Sequence, residues 1–234
     1  APDAEVAYVL SAKQRSNTMR FEMPRKSGDP TLDGYREFIA FDNLPPLVQC
    51  AAGAVQSLYR EASVTGDADV QLCATISFCT PGPDGKRILI MIPFTAVGLK
   101  DLAEQALIAL AAVGCQDLVF MTEGWIVKTQ FFTQYATWKS LPGNDGRPMG
   151  EAPAHMRNEL AIIMLFEEDS DRMYQSEIVR DERGCPGLSG WFQVETKRLS
   201  KSEGRFANIF KKARREQVSD TSWEDIVAEI TQQN

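Results

Sequence analysis

The chain has 234 residues, 44% of them hydrophobic and 24% charged, with a net charge of −7. That composition excludes general disorder, and a chain of this length buries a core without needing a disulfide or metal staple. The longest unbroken apolar runs, 88–94 and 106–113, fall short of the roughly 20 residues needed to cross a bilayer.

In chain order, residues 5–11 and 18–23 are expected as two short strands, followed by a loop marked by Gly28, Pro30 and Gly34. Tyr35 to Phe41 alternates as a strand. A helix is expected over 45–62, with Asn43 as N-cap, Pro45 and Pro46 in the first turn, and Leu47, Val48, Ala51, Val55, Leu58, Tyr59 and Ala62 along one stripe. Val70, Leu72, Ala74, Ile76 and Phe78 then alternate with polar residues and Cys73 and Cys79, the period of a strand with one buried face. The turn 81–85 returns the chain as a strand from Ile88 to Ile92.

Gly98 opens a second helix that runs to about 113, and Gly114 stops it. Leu118 to Val127 is apolar on both faces, as in a covered central strand, with Glu123 as the exception. Residues 139–158 hold three prolines and three glycines and read as a long loop or a boundary. Leu160 to Phe166, Met173 to Val179 and Trp191 to Thr196 suggest an antiparallel meander. A helix over 205–215 would carry a cationic stripe. A terminal amphipathic helix opens with Thr221-Ser222-Trp223-Glu224, which has capping-box form. The expected fold is α+β: a mainly antiparallel sheet, two core-packing helices and a C-terminal amphipathic helix. Its divisions are 1–34 (strands and linker), 35–200 (main domain) and 201–234 (basic and amphipathic helical segment).

The five cysteines are odd in number and form no C-x-x-C pair, which points to reduced thiols and a cytoplasmic setting. Cys73 and Cys79 are too far apart along one strand to share a bond or an ion. His155 is the only imidazole, and it sits in a loop sequence. Neither G-x-S-x-G nor H-E-x-x-H occurs, and 82–87 fails as a phosphate loop because Arg87 replaces the hydroxyl residue and a strand follows. The glycine-rich stretch 184–190 reads as a turn. No catalytic set, metal site or cofactor fingerprint is expected.

Glu123, beside Trp125, is a possible polar site, because a carboxylate in an apolar strand must be paired, hydrogen-bonded or shifted in pKa. A point where the strand emerges, a bulge or a basic neighbour explains it more simply. Glu167 and Asp169 have the spacing to hold a hard cation, although a solvated turn is the plainer reading. Phe131, Tyr135 and Trp138 fall at helical spacing and are read as core before ligand pocket or docking surface.

Residues 197–215 carry eight Lys or Arg against the single acid Glu203, leaving the remainder near −14. The leading expectation is therefore a non-catalytic protein-interaction or assembly protein. Its partner, another protein or a second copy, would meet Lys201, Arg205, Lys211, Lys212, Arg214, Arg215, Trp223, Ile226 and Ile230. One alternative is nucleic-acid binding through 197–215, against which the acidic bulk counts. Another is an enzyme using Glu123 or a cysteine.

Overall fold

The computed structural model describes residues 36–81, 87–94, 100–147, 149–194, 206, 208–215 and 221–233. The strands expected at 5–11 and 18–23, the opening at Gly98, and Lys201 and Arg205 lie outside the described residues. The strands are β1 (Arg36–Ile39), β2 (Ala74–Pro81), β3 (Arg87–Phe94), β4 (Leu118–Val127), β5 (Arg157–Phe166), β6 (Asp171–Arg180), β7 (Pro186–Leu188) and β8 (Trp191–Val194). The helices are α1 (Pro46–Thr65), α2 (Lys100–Ala112), α3 (Phe132–Ser140), α4 (Ile209–Ala213) and α5 (Trp223–Gln233).

All the strands belong to one antiparallel sheet in the order β1-β8-β6-β5-β4-β2-β3, with β7 also paired to β6. The fold is thus α+β, as the pattern of hairpins with interspersed helices requires. Because β3 and β4 each run antiparallel to β2, they are parallel to one another, and α2 connects them. β7 and β8 form one line along β6 broken by a bulge. From Ile178 to Gln175 is three residues, whereas their partners Leu188 and Phe192 are four apart. Gly190 absorbs the extra residue at φ 123°, and both Leu188 and Trp191 consequently pack into the same core.

Helices close both faces of the sheet. α1 packs over β7, β5, β4 and β2, joining an edge strand to the second strand from the opposite edge. Four strand spacings amount to about 19 Å, which a 20-residue helix of about 30 Å spans. Pro45 and Pro46 start α1, Gln49 donates to the carbonyls of Asp42 and Leu44, and Gly66 ends the helix at φ 77°. Asn43 lies upstream in a short 3-10 turn and does not cap it. Leu47, Val48, Ala51, Ala52, Val55 and Tyr59 meet Val119, Met121, Ala161, Ile163, Leu165, Tyr174 and Trp191 in the first core.

The second core lies on the other face. There Ala103, Ala106, Leu107 and Leu110 of α2, Ile209 and Ala213 of α4, and Ile226 and Ile230 of α5 pack on Ile76, Phe78, Ile92, Phe94, Leu118 and Phe120. Each large apolar side chain so buried contributes about 1.5–3 kcal/mol.

Covering both faces changes the character of β2. The alternation predicts one buried face, but Thr75, Ile76, Ser77 and Phe78 are all buried, because α1 covers the side opposite α2. The central strand β4 is enclosed as expected from Leu118 to Met121. The stretch 139–158 is less open than a plain loop, since α3 runs into it and two 3-10 turns follow at Met149–Glu151 and Ala154–Met156. The basic helix shortens to α4. At α5 the box forms one residue later than its sequence signature: Asp225 N–H donates to Ser222 Oγ (3.2 Å), and Asp225 Oδ2 accepts from Ser222 N–H (3.0 Å). Among the described residues, no helix is long and apolar enough to cross a membrane.

Candidate functional site

Strand alternation places Val119, Met121, Glu123 and Trp125 on the face covered by α1. Near the C-terminal end of that helix, the buried Tyr59 donates its hydroxyl to Glu123 Oε1 at 2.7 Å. The same oxygen accepts the backbone N–H of Leu72 at 2.7 Å. One carboxylate therefore ties α1, and the segment leading into β2, to the central strand. Burial raises the Glu123 carboxyl above its ordinary value, opposed by these two hydrogen bonds, with Glu159 adding to the rise and Arg180 reducing it. Burial also pushes the Tyr59 hydroxyl far up, and donation to Glu123 adds to the effect.

Beside this pair, Arg180 forks onto Glu159 through Nε and Nη2, both at 3.0 Å. Its Nη1 donates to the carbonyls of Ala68 (2.9 Å) and Gly184 (3.0 Å). The guanidinium thereby fastens two surface turns to the sheet while neutralising a carboxylate whose side chain is only 10% exposed. Within this arrangement the polar atoms serve one another. There is no bulge, because Glu123 pairs in register with Ala161; the strand does leave the fully buried core at Thr122, Arg180 is near enough to favour the carboxylate, and the direct partners are a hydroxyl and a backbone N–H.

Trp125 sits two residues further along the same face, 38% exposed, with the Arg157 guanidinium carbon 3.8 Å from its ring centroid. Gly150 passes against the indole so closely that a Cβ there would lie 2.8 Å from Nε1. His155 is exposed and meets the edge of Phe131 at 5.3 Å between centroids. The five thiols are free, Cys185 is buried, and burial pushes Cys115 up to about 11, away from the thiolate form that reacts. Among the described residues, no three His, Cys, Asp or Glu side chains are grouped so as to hold a metal ion.

The acidic run after β5 is tied to cations. Glu167 is forked by Arg172 (2.9 and 2.6 Å), Glu168 meets Arg214 (2.8 Å), and Asp171 accepts the N–H of Asn208 (2.9 Å). Lys212 reaches Glu104 on α2 at 2.6 Å. Lys211 and Arg215 are exposed. Ile226 and Ile230, expected on a partner-binding face, point into the second core at 7% and 3% exposure, and Trp223 packs edge-on to Phe78 at 5.9 Å. The amphipathic stripe of α5 is thus occupied from within the chain.

One surface was the lesser alternative in the sequence reading, and a second escaped it. α3 buries none of its residues although it carries Phe132, Tyr135 and Trp138, so these rings are not core. Phe132 is 53% exposed, and the Tyr135 and Trp138 rings stack at 5.7 Å with 28° between their planes. The second is β3, the end strand of the sheet among the described residues, where Ile88 and Met91 are 40% and 38% exposed. The strand opens on Arg87 and carries Pro93, both usual on an end strand, and the stretch between them, 88–92, is wholly apolar.

Comparison with family models, with curated proteins and with solved structures yields no match to this chain.

Proposed function

We propose that this chain is a non-catalytic protein-interaction or assembly protein. The observation that carries the reading is β3, which ends the described sheet with an apolar stretch, 88–92, between Arg87 and Pro93 and exposes Ile88 on one face and Met91 on the other. Along 88–92 a strand of this kind adds an extended segment through main-chain hydrogen bonds, with apolar side chains on both faces fixing the register. The rest of a chain carrying −7 repels its own copies, so an uncharged strand edge is where contact costs least.

The basic segment enters this reading as internal glue, since Lys212 and Arg214 engage Glu104 and Glu168 of the same chain. The same pairs weaken the alternative in which residues 197–215 bind nucleic acid, because cations neutralised internally add little phosphate affinity. An enzyme built on Glu123 is weakened by the hydrogen bonds that Tyr59 and Leu72 make to Oε1, which give the carboxylate a structural role between α1 and the sheet.

Sedimentation velocity from about 1 to 100 μM (free energies of about −8 to −5 kcal/mol), together with cross-linking in the native source, tests the proposal. Wild-type protein is expected to self-associate or to cross-link to one defined partner, and Ile88→Lys with Met91→Lys is expected to abolish both while the circular dichroism spectrum stays unchanged. A wild-type chain that stays monomeric and emerges from cross-linking alone would remove the basis for the reading.

A further inference from the structure

The outer edge of β3 presents a definite set of hydrogen-bonding groups. Pro93 stands opposite Thr75 in the β2–β3 ladder and has no N–H to give it, so this pair falls among the positions that exchange no hydrogen bonds with β2. Ladder bonds alternate along an antiparallel pair. Ile88, Ile90, Ile92 and Phe94 therefore bond to β2, and the N–H and C=O groups of Arg87, Leu89 and Met91 point to the other side. None of the described residues pairs with Leu89 or Met91 there. Pro93 ends this row of donors, so the edge open to pairing is 87–91.

The side chains narrow what fits against it. Leu89 packs with the core beneath α1 and Ile90 with the core beneath α2, and the exposed Met91 and Ile88 carry those two apolar layers out to the edge of the sheet. A strand laid alongside must be apolar on both faces at consecutive residues, with its own donors and acceptors at alternate positions. β3 meets both requirements itself.

We infer that the partner at this edge is a second copy of the chain, its β3 running antiparallel to the first about a two-fold axis through Leu89. The inference rests on the reading of β3 as an interaction edge and supplies its occupant. In this register Leu89 exchanges N–H and C=O with its counterpart, and Arg87 exchanges with Met91 at each end. Every outward group of these three residues is then used, and Pro93 lies outside the pairing. Moving the axis to Ile90 sets Arg87 against Pro93 and leaves the Arg87 carbonyl without a donor. About the Leu89 axis, Ile88 lies across from the copy's Ile90 on one face, and Met91 lies beside the aliphatic stem of the copy's Arg87 on the other.

Charge and order favour the copy over a foreign segment. β2 and β3 hold Arg87 and no acidic residue, so pairing at this edge keeps the acidic bulk of two molecules apart. The two Arg87 residues are offset by four positions, about 14 Å along the strands, which exceeds the screening length of about 8 Å at physiological salt. A flexible peptide loses backbone freedom at each residue as it docks, whereas a second β3 is already held extended by its own β2.

Two measurements on the full chain test the inference. In sedimentation velocity from about 1 to 100 μM the wild type is expected to pass from monomer to dimer. Over the same range, amide hydrogen exchange followed by NMR is expected to slow at Leu89 and Met91, and to change less at Ile88 and Ile90, which already bond to β2. Met91→Pro removes an outward N–H from each copy and no bond to β2, and is expected to weaken the dimer by about 10- to 100-fold, the value of the two lost hydrogen bonds with their stranded acceptors. Met91→Leu keeps the donor and is expected to dimerise as the wild type does. The exchange measurement needs no variant and stands whether or not the proline is tolerated. A wild type that remains monomeric throughout, a dimer that leaves Leu89 and Met91 unprotected, or a dimer unaffected by Met91→Pro overturns the inference. Cross-linking in the native source separates this failure from that of the reading beneath it. A monomeric chain that cross-links through 87–91 to a different protein overturns the second copy and leaves the edge as the contact site, and a chain that does neither overturns both.

Discussion

The two faces of the sheet are closed by different chemistry. Under α2, α4 and α5 the contacts are almost wholly apolar, from Phe78 and Phe120 to Leu107, Leu110 and Ile230. Under α1 an apolar centre gives way, toward the end of the helix, to a carboxylate, a phenol and a guanidinium that satisfy one another. The apolar face derives its strength from area and tolerates no void. The mixed face derives specificity from direction, because Glu123 accepts from only one registration of α1 and Arg180 reaches two carbonyls only when both turns are in place.

That contrast can be broken most forcefully on the apolar side. Leu107→Ala, at a fully buried site, is expected to destabilise the fold by about 2–5 kcal/mol, read as a shift in the urea midpoint without a change in slope. A loss under 1 kcal/mol would mean that the second core collapses to fill the space and is not tightly packed.

On the mixed face, Arg180→Met removes the partner of Glu159 and the donor to Ala68 and Gly184. Breaking a fully buried pair costs about 3–5 kcal/mol, and the 35% exposure of Arg180 admits enough water to reduce this to about 1–3. Proteolysis should show the segment around Ala68 opening before the rest of the sheet. Tyr59→Phe, which deletes only the hydroxyl, is expected to cost about 1–2 kcal/mol by leaving Glu123 short of a donor.

Glu123→Gln sharpens the comparison through pH. Burial raises the folded-state pKa of Glu123 above its unfolded value, so the native state holds the proton more tightly. The contribution of this group is therefore most favourable at low pH and declines as pH rises from about the ordinary carboxyl value through the raised one. The amide retains an Oε1 acceptor for Tyr59 and Leu72 and does not ionise. The stability difference between Glu123→Gln and wild type should consequently grow in favour of the variant across that window, measured as urea midpoints at successive pH values. A difference independent of pH would show that the carboxyl titrates alike in the folded and unfolded chains.

The smallest effect belongs to the surface. Arg214→Ala removes an ion pair whose side chains are 62% and 71% exposed, and is expected to change stability by no more than about 0.5 kcal/mol. A larger loss would make the pairing of the basic segment with the acidic run a structural element of the second core.

Much of this architecture was legible in periodicity. The stripe from Leu47 to Ala62 specifies α1, the apolar run from Leu118 specifies a covered central strand, and the hairpin pattern specifies an antiparallel α+β fold, because local spacing decides which side chains share a face. The anomaly of Glu123 was visible as well, but its partners were not: Tyr59 is 64 residues away in sequence, and only packing of α1 across the sheet brings the hydroxyl within reach. Tertiary structure likewise decided that Ile226 and Ile230 serve the core while Phe132, Tyr135 and Trp138 stay at the surface. An apolar stripe records that a face seeks cover, and which face obtains it depends on how much helix the two sides of one sheet can accommodate.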